Sequence, residues 1–323
     1  MKIAYIANYS SIHTRKWVDY FISEGHRCCV YDKNQQSIYG ILADINEFNP
    51  DIVHAHYAGW NGFIGALTNR HPYIITVWGS DVIGNHGNIL KREVVKYGLQ
   101  KADLITTDAE HIMGHLARYG VQPQKIHRIN FGVDTEMFKP NKIVHSGKIV
   151  VSLRSLEKIY DVQTLIRAVP YVVEEFNDVL FKIYSDGSQR QKLEQLVSKL
   201  DVSDYVDFCG KVGYNEIPRI LNGADLYVST ALSDAGIASS TAEAMACGLP
   251  CIVTDNADNR QWLSAEQIFI HENSKDLAYA VIGSLYTRIY EINEDNRNKI
   301  VKDDNYLTEM GKMELLYEQM FKK

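Results

Sequence analysis

The stretch Ala231–Thr254, ALSDAGIASSTAEAMACGLPCIVT, decides the fold of this chain. An apolar, β-prone segment at Leu226–Ser229 precedes it. A helix is predicted to begin near Thr241, and Gly248, with a proline two residues later, is the usual signal for its end. The apolar run Cys251–Thr254 predicts a second strand. A strand, a small-residue loop and a helix N-terminus together form a concave set of backbone N–H groups, which attracts phosphate.

Short apolar strands alternate with helical patterns along the first half, which predicts βαβ units and a parallel sheet. The predicted strands are Ile3–Ala7, Cys28–Tyr31, Asp51–His54, Tyr73–Val77, Leu104–Thr106 and Ile126–Ile129. The predicted helices are Thr14–Ser23, Gly40–Phe48, Asn61–Thr68, Ile89–Gln100 and Ala109–Tyr119. In such sheets ligands bind beyond the carboxyl ends of the strands, so the loops at those ends hold the candidate residues.

The pattern restarts in the second half with a strand at Lys148–Leu153, after a polar segment, 140–147, where we place the linker. A chain of 323 residues suits two domains. The predicted domains are residues 1–142 and 143–303. Apolar and aromatic residues at helical spacing predict a last helix at Tyr306–Phe321. The further predicted elements are the helices Val162–Glu175 and Glu216–Leu221 and the strand Leu180–Ser185.

Composition narrows the class of protein. With 46% hydrophobic and 23% charged residues the chain is a globular protein, and its net charge of −6 argues against nucleic acid as a partner. Five cysteines without a C-x-x-C pair indicate reduced thiols and a cytoplasmic protein. The apolar run at the N-terminus is too short for a signal peptide, and the longest uncharged run, 52–69, contains two histidines and cannot pass for a membrane helix.

Glu243 has a plain interpretation and a functional one. The run Ser240-Thr241-Ala242-Glu243 fits the spacing of a capping box, in which the carboxylate satisfies a backbone donor at the helix start. However, residues 233–237 together with 243–250 resemble the nucleotide-sugar signature of retaining glycosyltransferases of family four. The resemblance implies that Glu243 holds the ribose of a nucleotide-sugar donor.

The same signature has an earlier carboxylate, which in the family touches the donor hexose. Its position falls here on Ala235, and the nearest carboxylate, Asp234, lies one residue upstream. Either the loop is longer by one residue, or the backbone of 236–239 does that carboxylate's work.

Arg154 and Lys158 follow the first strand of the second half. An arginine and a lysine four residues apart at a strand end could meet a pyrophosphate, or they could be a solvated surface pair. The run VSLRSLEKIYDVQTLIRA resembles the family's R-x-x-x-K-G-x-D-x-L-I-x-A element, which favours pyrophosphate, although Ile159-Tyr160 replaces the glycine after the lysine.

Two further segments resemble family elements near the nucleotide. Ser185-Asp186-Gly187 stands where relatives carry G-x-G or G-D-G, and a plain turn is the alternative. The run VDFCGKV resembles the V-x-F-x-G strand end beside the base. The donor-binding residues that the resemblance implies are Arg154, Lys158, Asp186, Gly210, Lys211, Asp234, Gly236, Ile237, Ala238, Ser239, Ser240, Thr241 and Glu243.

In the first half, the run Thr76–Asp81 resembles the family's T-x-H-G-x-D element, with Trp78 in place of histidine. An indole offers a stacking face and one donor but no proton acceptor. Asp81 is either the remaining polar group or a helix cap. The acceptor-binding residues that we predict are His13, His56, Trp78 and Asp81, and the catalytic residues are Arg154, Lys158 and Asp81.

Two alternatives stay open at the histidines. Thr14 as a helix cap would account for the first loop without any role for His13. His54 and His56 point to one face of a strand and could be half of a metal site, a hydrogen-bonded core pair or a sugar contact. The family resemblance implies no metal.

The resemblance covers nearly the whole chain and implies an α/β GT-B fold: two Rossmann-like domains with parallel sheets facing a central cleft, and a last helix, about 304–323, that crosses back to the first domain. It implies a metal-independent, retaining transfer of a hexose or N-acetylhexosamine from a nucleotide-diphosphate sugar, UDP favoured over GDP. The expected acceptor is a saccharide or a lipid-linked acceptor of cell-envelope polysaccharide synthesis.

A nucleotide-sugar epimerase of the same architecture, or a non-catalytic sugar- or nucleotide-binding subunit of a glycosylation complex, are the alternatives. A dinucleotide-dependent oxidoreductase lacks support, since no G-x-G-x-x-G follows the first strand. Lys91, Arg92, Lys96 and Lys101 lie on one predicted helix, either as a solvated face or as a contact with the inner face of a membrane.

Overall fold

The computed structural model describes residues 1–83, 88–141, 143–256, 258–287 and 293–322. The chain forms two compact units, residues 1–132 with 306–323, and residues 133–305. Each unit contains a six-stranded sheet in which all paired strands are parallel. The two Rossmann-like α/β units that the alternating pattern predicts are therefore present.

Unit 1 has the strand order β2-β1-β3-β4-β5-β6. Its strands are β1 Lys2–Ile6, β2 Arg27–Tyr31, β3 Ile52–His56, β4 Tyr73–Val77, β5 Leu104–Thr107 and β6 Ile126–Arg128. Its helices are α1 Ile12–Ser23, α2 Ile38–Phe48, α3 Trp60–Leu67, α4 Ser80–Ile83, α5 Ile89–Lys101, α6 Glu110–Ala117 and, at the end of the chain, α14 Tyr306–Phe321.

Unit 2 has the order β12-β11-β10-β7-β8-β9. Its strands are β7 Lys148–Ser152, β8 Val179–Ile183, β9 Val206–Phe208, β10 Leu226–Ser229, β11 Cys251–Thr254 and β12 Ile268–Phe269. Its helices are α7 Val162–Glu175, α8 Arg190–Lys199, α9 Ile217–Asn222, α10 Ser239–Ala246, α11 Asn259–Trp262, α12 Ser274–Thr287 and α13 Glu294–Asp303. The strand β12 and the helices α8, α11, α12 and α13 had no counterpart among the sequence predictions.

The last helix belongs to unit 1, as predicted. Alternate residues of β1 face opposite sides of the sheet, so Ile3 and Tyr5 pack in the same core as α14. The hydroxyl of Tyr317 on α14 lies 2.5 Å from His54 Nδ1 and 3.1 Å from the Tyr5 hydroxyl. These buried contacts tie α14 to the sheet.

The border between the units lies at Gly132, not at residue 142. Gly132 has φ +82°, and a Cβ there would lie 2.6 Å from the Tyr306 backbone, so the residue must be small where the chain leaves and re-enters unit 1. Phe138 is already in the core of unit 2. Ile143 donates its N–H to the carbonyl of Asn222 at 2.9 Å. The polar segment predicted as a linker is thus attached to unit 2 on both sides of residue 142.

Candidate functional site

The candidate site of unit 2 lies where the strand order reverses. From the middle of the sheet, β7, β8 and β9 follow one another toward one edge, and β10, β11 and β12 follow one another toward the other edge. The strand order therefore reverses between β7 and β10. Ligands of open α/β sheets bind beyond the carboxyl ends of the strands at such a point. Arg154 follows β7 and Asp234 follows β10, so the two residues emerge from neighbouring strands on either side of the reversal.

Arg154 and Asp234 form an ion pair, with Arg154 Nη2 donating to Asp234 Oδ1. Both side chains are largely buried, at 9% and 13% exposure. The Arg154 guanidinium also lies over the ring of Tyr160, 4.4 Å from its centroid. Within the described ranges, Arg154 Nε is buried without a hydrogen-bond acceptor. These contacts fix the guanidinium in place and leave its Nε–H group available to a ligand.

The ion pair gives a stability prediction. Asp234→Asn leaves the buried Arg154 charge without its partner, and breaking a buried pair costs about 3–5 kcal/mol. We therefore expect the free energy of unfolding from urea titration to fall by about that amount. In the double variant Asp234→Asn, Arg154→Met the loss should be clearly smaller than the sum of the single losses, since no unpaired charge remains. Additive losses would show that the pair contributes no coupling.

Backbone contacts hold the segment that carries Lys158 against the loop after β10. The N–H of Leu232 donates to the carbonyl of Ile159 at 2.9 Å, and Thr230 Oγ1 donates to the carbonyl of Tyr160 at 2.9 Å. Lys158 opens a short 3-10 turn, Lys158–Tyr160, and its side chain is exposed. The Lys158 amine makes no hydrogen bond or ion pair with any residue that the structure describes. It is therefore available to an anion.

The loops after β7 and β8 are joined as well. Leu156 N–H donates to the Asp186 carbonyl at 3.2 Å, and Glu157 Oε1 accepts from the N–H of Ser188 at 2.8 Å. A Cβ at Gly187 would lie 2.5 Å from the Leu156 carbonyl oxygen, so only glycine permits this approach. The Asp186 carboxylate accepts from the Gly187 N–H at 2.8 Å, and its contact with a donor stays a prediction.

Gly210 and Lys211 follow the edge strand β9, two strands away from β7. Gly210 has φ +76°, and the Lys211 side chain is exposed. A contact of this pair with a donor stays a prediction.

Helix α10 begins two residues before the predicted start. Its N-cap is Ala238, which has no side-chain cap, and Ser239 is its first residue. Glu243 is thus the fifth helical residue, in the second turn, and the capping box at 240–243 is wrong. Glu243 is buried, at 5% exposure, while the backbone of 236–241 forms the loop and the helix start that attract phosphate. Ser240 Oγ lies 2.8 Å from the Tyr227 hydroxyl, which fixes this first turn to β10.

In unit 1 the strand order reverses between β1 and β3; His13 lies in the first turn of α1, which follows β1, and His56 is the last residue of β3. The His13 ring stacks on Trp78, with 5.4 Å between centroids, and meets the ring of Phe131 edge-on at 4.0 Å. The His56 ring lies 5.8 Å from Trp78 and 5.1 Å from Trp17. The structure therefore brings His13, His56 and Trp78 into one aromatic cluster.

Burial keeps the imidazoles of this cluster neutral. It lowers the pKa of His13 to about 4, with a smaller effect from Lys16, and that of His56 to about 3, with a smaller effect from His13. In the part of the chain that the structure describes, His13 Nδ1, Trp78 Nε1 and both His56 nitrogens have no hydrogen-bond partner. Neutral imidazoles can donate to and accept from a hydroxyl group.

His54 has a structural role. Its Nδ1 lies 2.5 Å from the Tyr317 hydroxyl and its Nε2 lies 2.7 Å from Thr76 Oγ1, so both nitrogens are occupied. No group of three or more His, Cys, Asp or Glu side chains that could hold a metal ion occurs among the described residues. The hydrogen-bonded core interpretation of His54 is confirmed by these two contacts.

Asp81 holds two loops together. Its carboxylate accepts from the N–H of Ala58 at 2.7 Å and from the N–H of Trp78 at 3.2 Å. Burial raises the pKa of Asp81 to about 6, although the backbone donors oppose this shift. The contacts give Asp81 a positioning role for the Trp78 loop, and its catalytic role stays a prediction.

Helix α5 carries the basic residues singled out in the sequence. Lys91, Arg92 and Lys101 are exposed and Lys96 is half-buried, and the neighbouring Ile89–Leu90 pair is 80% and 79% exposed. Contact with a membrane stays a prediction, as does the cytoplasmic location. No helix in the described ranges is long and apolar enough to span a bilayer. All five cysteines are free thiols.

The sequence alone did not indicate a role in the site for three residues. Tyr160 and Thr230 position the Arg154 loop, and Trp17 forms part of the histidine cluster. The signal for Tyr160 was the replacement of the family glycine after Lys158 by bulky residues. Thr230 and Trp17 gave no local signal, because their contacts are with residues distant in sequence.

Comparison with protein families gives two matches. Residues 133–301 match the model described as glycosyl transferases group 1, and residues 31–109 match the model described as glycosyl transferase 4-like. The first match covers the whole candidate site of unit 2.

Curated relatives are similar at low identity. A phosphatidylinositol N-acetylglucosaminyltransferase component of Arabidopsis thaliana is 23% identical over 279 residues, 84% of this chain and 62% of that protein. The N-acetyl-alpha-D-glucosaminyl L-malate synthase of Bacillus anthracis is 26% identical over 221 residues, 64% of this chain and 57% of that protein. The matched regions thus span less than two thirds of the length of these relatives.

Solved structures resemble the chain along its whole length. Sucrose-phosphate synthase from Thermosynechococcus elongatus has a TM-score of 0.85 at 16% identity, with 99% of each chain covered. Anabaena HepE in complex with UDP has a TM-score of 0.81 at 15% identity, covering 99% of this chain and 100% of that one. At such identities the likeness shows the fold alone.

Proposed function

Since the chain belongs to the glycosyl transferases group 1 family and has the GT-B fold, we propose that it transfers a hexose or N-acetylhexosamine from a nucleotide-diphosphate sugar with retention of configuration. One observation carries the proposal. Arg154, fixed by Asp234 and Tyr160, and Lys158, which has no ion-pair partner in the described ranges, lie on the same loop, after β7, at the strand reversal of unit 2.

We propose that this group of residues stabilises the negative charge of the departing diphosphate. The Arg154 fork, the Lys158 amine and the N–H groups of residues 236–241 would bind the diphosphate oxygens and offset the negative charge that grows as the sugar C–O bond breaks. The electrostatics are preorganised because Asp234 and Tyr160 hold the guanidinium before the donor arrives. These protein groups can supply the stabilisation without a metal ion.

The retaining step does not depend on a basic side chain of the protein. An acceptor oxygen attacks on the face that the diphosphate leaves, the new C–O bond forms as the old one breaks, and the acceptor proton passes to the leaving phosphate oxygen. The neutral His13 and His56 fit this mechanism, because imidazoles with a pKa of about 4 and about 3 are poor bases at pH 7. We propose that they and Trp78 orient the acceptor hydroxyl.

We propose UDP as the nucleotide and a saccharide or lipid-linked saccharide as the acceptor. The UDP complex of Anabaena HepE and the sugar-transferring relatives support this choice. In the same proposal Glu243, which lies in the second turn of α10, just after the helix start that attracts phosphate, binds the ribose hydroxyls.

Glu243→Gln tests the ribose contact. A hydrogen bond to a charged acceptor contributes about 1.5–3 kcal/mol, so we expect the KM for the donor to rise about tenfold to a hundredfold, with a smaller change in kcat. Initial rates with UDP-sugar as the varied substrate provide the measurement. Glu266→Gln, at an exposed glutamate of unit 2, is the matched control and should leave KM unchanged. An unaltered KM in Glu243→Gln would remove the carboxylate from donor binding.

A panel of UDP and GDP sugars, incubated with and without saccharide acceptors, tests the function as a whole. Transfer of sugar to an acceptor with the donor's anomeric configuration is expected. Release of an altered donor or of free epimerised sugar without acceptor would indicate the epimerase instead. Nucleotide binding without any turnover would indicate the non-catalytic subunit.

A further inference from the structure

A groove between α7 and α8 adjoins the site described above and shares Glu157 and Lys158 with it. It encloses a cavity of about 250 Å³ and is lined by the first half of α7, by one face of α8 and by the segment before α7. Four cations line it, Lys158, Arg167, Lys192 and Lys199, and all four side chains are exposed. We call it the α7–α8 groove.

Helix geometry gathers these charges. Lys192 and Lys199 are seven residues apart on α8, and Gln163 and Arg167 are four residues apart on α7. Residues at these spacings share one face of a helix. The buried Leu193 also lines the groove. The positive charge therefore faces a common cavity.

Of the four cations of the groove, Arg167 interacts with a carboxylate of the described chain: burial raises the pKa of Asp161, and the Arg167 charge opposes this shift. None of the four cations makes a hydrogen bond or an ion pair with a described residue. Glu157 accepts from the hydroxyl of Ser188 at 2.5 Å, and Asp161 accepts from the hydroxyl of Thr164 at 2.6 Å. With four cations and two carboxylates, the lining carries a formal charge of +2 in a chain whose net charge is −6.

We propose that the α7–α8 groove binds a small phosphate ester with a hydroxylated body. Like charges held around one cavity repel each other, and a phosphate dianion would relieve that repulsion while accepting hydrogen bonds from the lysine and arginine groups. The amides of Gln163, Gln189 and Gln195, which also line the cavity, can donate to and accept from hydroxyl groups. A cavity of about 250 Å³ suits a ligand of the size of a sugar phosphate.

The groove and the proposed donor site share Lys158, so the test leaves this residue unchanged. Lys192→Glu with Lys199→Glu reverses two charges of the groove, and Lys275→Glu with Lys302→Glu reverses two exposed charges elsewhere on unit 2. Both double variants alter the net charge equally. Both should keep the wild-type free energy of unfolding to within about 1 kcal/mol, because the substituted side chains are exposed.

Titration calorimetry with glucose 6-phosphate as the probe measures binding. We expect the groove variant to weaken binding at least about tenfold, the control double variant to leave it unchanged, and higher salt to weaken binding in the wild-type protein. Glu243→Gln should bind the probe as the wild type does, which separates the groove from the proposed donor site. Inorganic phosphate should bind more weakly than the ester.

A flotation assay distinguishes a soluble ester from a lipid headgroup with the same chemistry. Association with phosphatidylglycerol vesicles that only the groove variant loses, without binding of glucose 6-phosphate, assigns the groove to a phospholipid headgroup. Binding of the soluble ester that only this variant loses assigns it to a free phosphate ester. Absence of both kinds of binding, or equal binding by the two double variants, overturns the proposal.

Discussion

Lys158→Ala is expected to lower turnover by about a hundredfold to a thousandfold while the protein stays folded. Removing one donor that is aimed at charge developing in a transition state has an effect of this size. The backbone contacts of Ile159 and Tyr160 hold the segment without the lysine side chain, which is exposed. We therefore expect the free energy of unfolding to change by no more than about 0.5 kcal/mol.

The measurement is kcat at saturating donor, with urea titration as the test of folding. Lys158→Arg keeps the charge but replaces a compact ammonium with a planar fork, so it should restore only part of the rate. Lys302→Ala removes an exposed lysine of unit 2 far along the sequence and should leave kcat unchanged. Wild-type turnover in Lys158→Ala at saturating donor would take Lys158 out of the mechanism.

Acid is expected to destabilise unit 1 well above the pH at which carboxylates are usually protonated. Burial lowers the pKa of His13 to about 4 and that of His56 to about 3, and it lowers the pKa of His54 well below the ordinary value, with a smaller effect from His56. An unfolded histidine has a pKa of about 6.5. Between these values the unfolded chain binds protons that the folded chain does not, so stability falls as the pH falls through about 6.5 toward 4.

Asp81 acts in the opposite direction. Burial raises its pKa to about 6, so between pH 6 and about 4 the folded protein binds a proton that the unfolded chain does not. Its contribution to stability therefore grows as the pH falls and offsets most of the effect of one histidine. From His13, His56 and Asp81 we expect a net loss of about 2.5 kcal/mol in the free energy of unfolding between pH 7 and pH 5, and the lowered pKa of His54 adds to this loss.

Urea titrations at pH 7 and pH 5 check this expectation, with tryptophan emission as the probe. Trp17, Trp60 and Trp78 lie in unit 1, and a Trp262→Phe background restricts the signal to that unit. In His56→Gln the loss between pH 7 and pH 5 should shrink by about 2 kcal/mol. His271→Gln, at an exposed histidine of unit 2, is the matched control. A loss of the same size in His56→Gln and the wild type would show that His56 does not carry the linkage.

Much of the fold can be predicted from local sequence patterns. The alternation of short apolar strands with amphipathic stretches predicted the strands closely enough that Tyr73–Val77, Cys251–Thr254 and the helix Tyr306–Phe321 have the predicted bounds. Helix α8 was not predicted, although Leu193, Leu196 and Val197 stand at helical spacing in an otherwise polar segment. The start of α10 was placed late because Ala238 caps the helix without the side-chain signal on which sequence predictions depend.

The candidate site also follows partly from local sequence motifs and partly from contacts between residues distant in sequence. Motif resemblance singled out Arg154, Lys158 and Glu243, but it left open whether Asp234 or the backbone of 236–239 replaces the family's sugar-contacting carboxylate. In the structure Asp234 is the ion-pair partner of Arg154, 80 residues away in sequence. His54, similarly, bonds to Tyr317, 263 residues away, and so has a structural role that its strand position alone did not reveal.

The sequence by itself determined which segments are strands and helices, which loops end parallel strands, and which family the motifs resemble, because periodicity, glycine, proline and capping signals act over a few residues. Only the tertiary structure decided which loops become neighbours. Strand order places β10 beside β7 and β3 beside β1, so side chains from non-consecutive strands meet at the carboxyl edge of each sheet. The pairing and burial of these side chains, and the pKa values of Asp81 and the histidines, follow from that proximity, which no local pattern encodes.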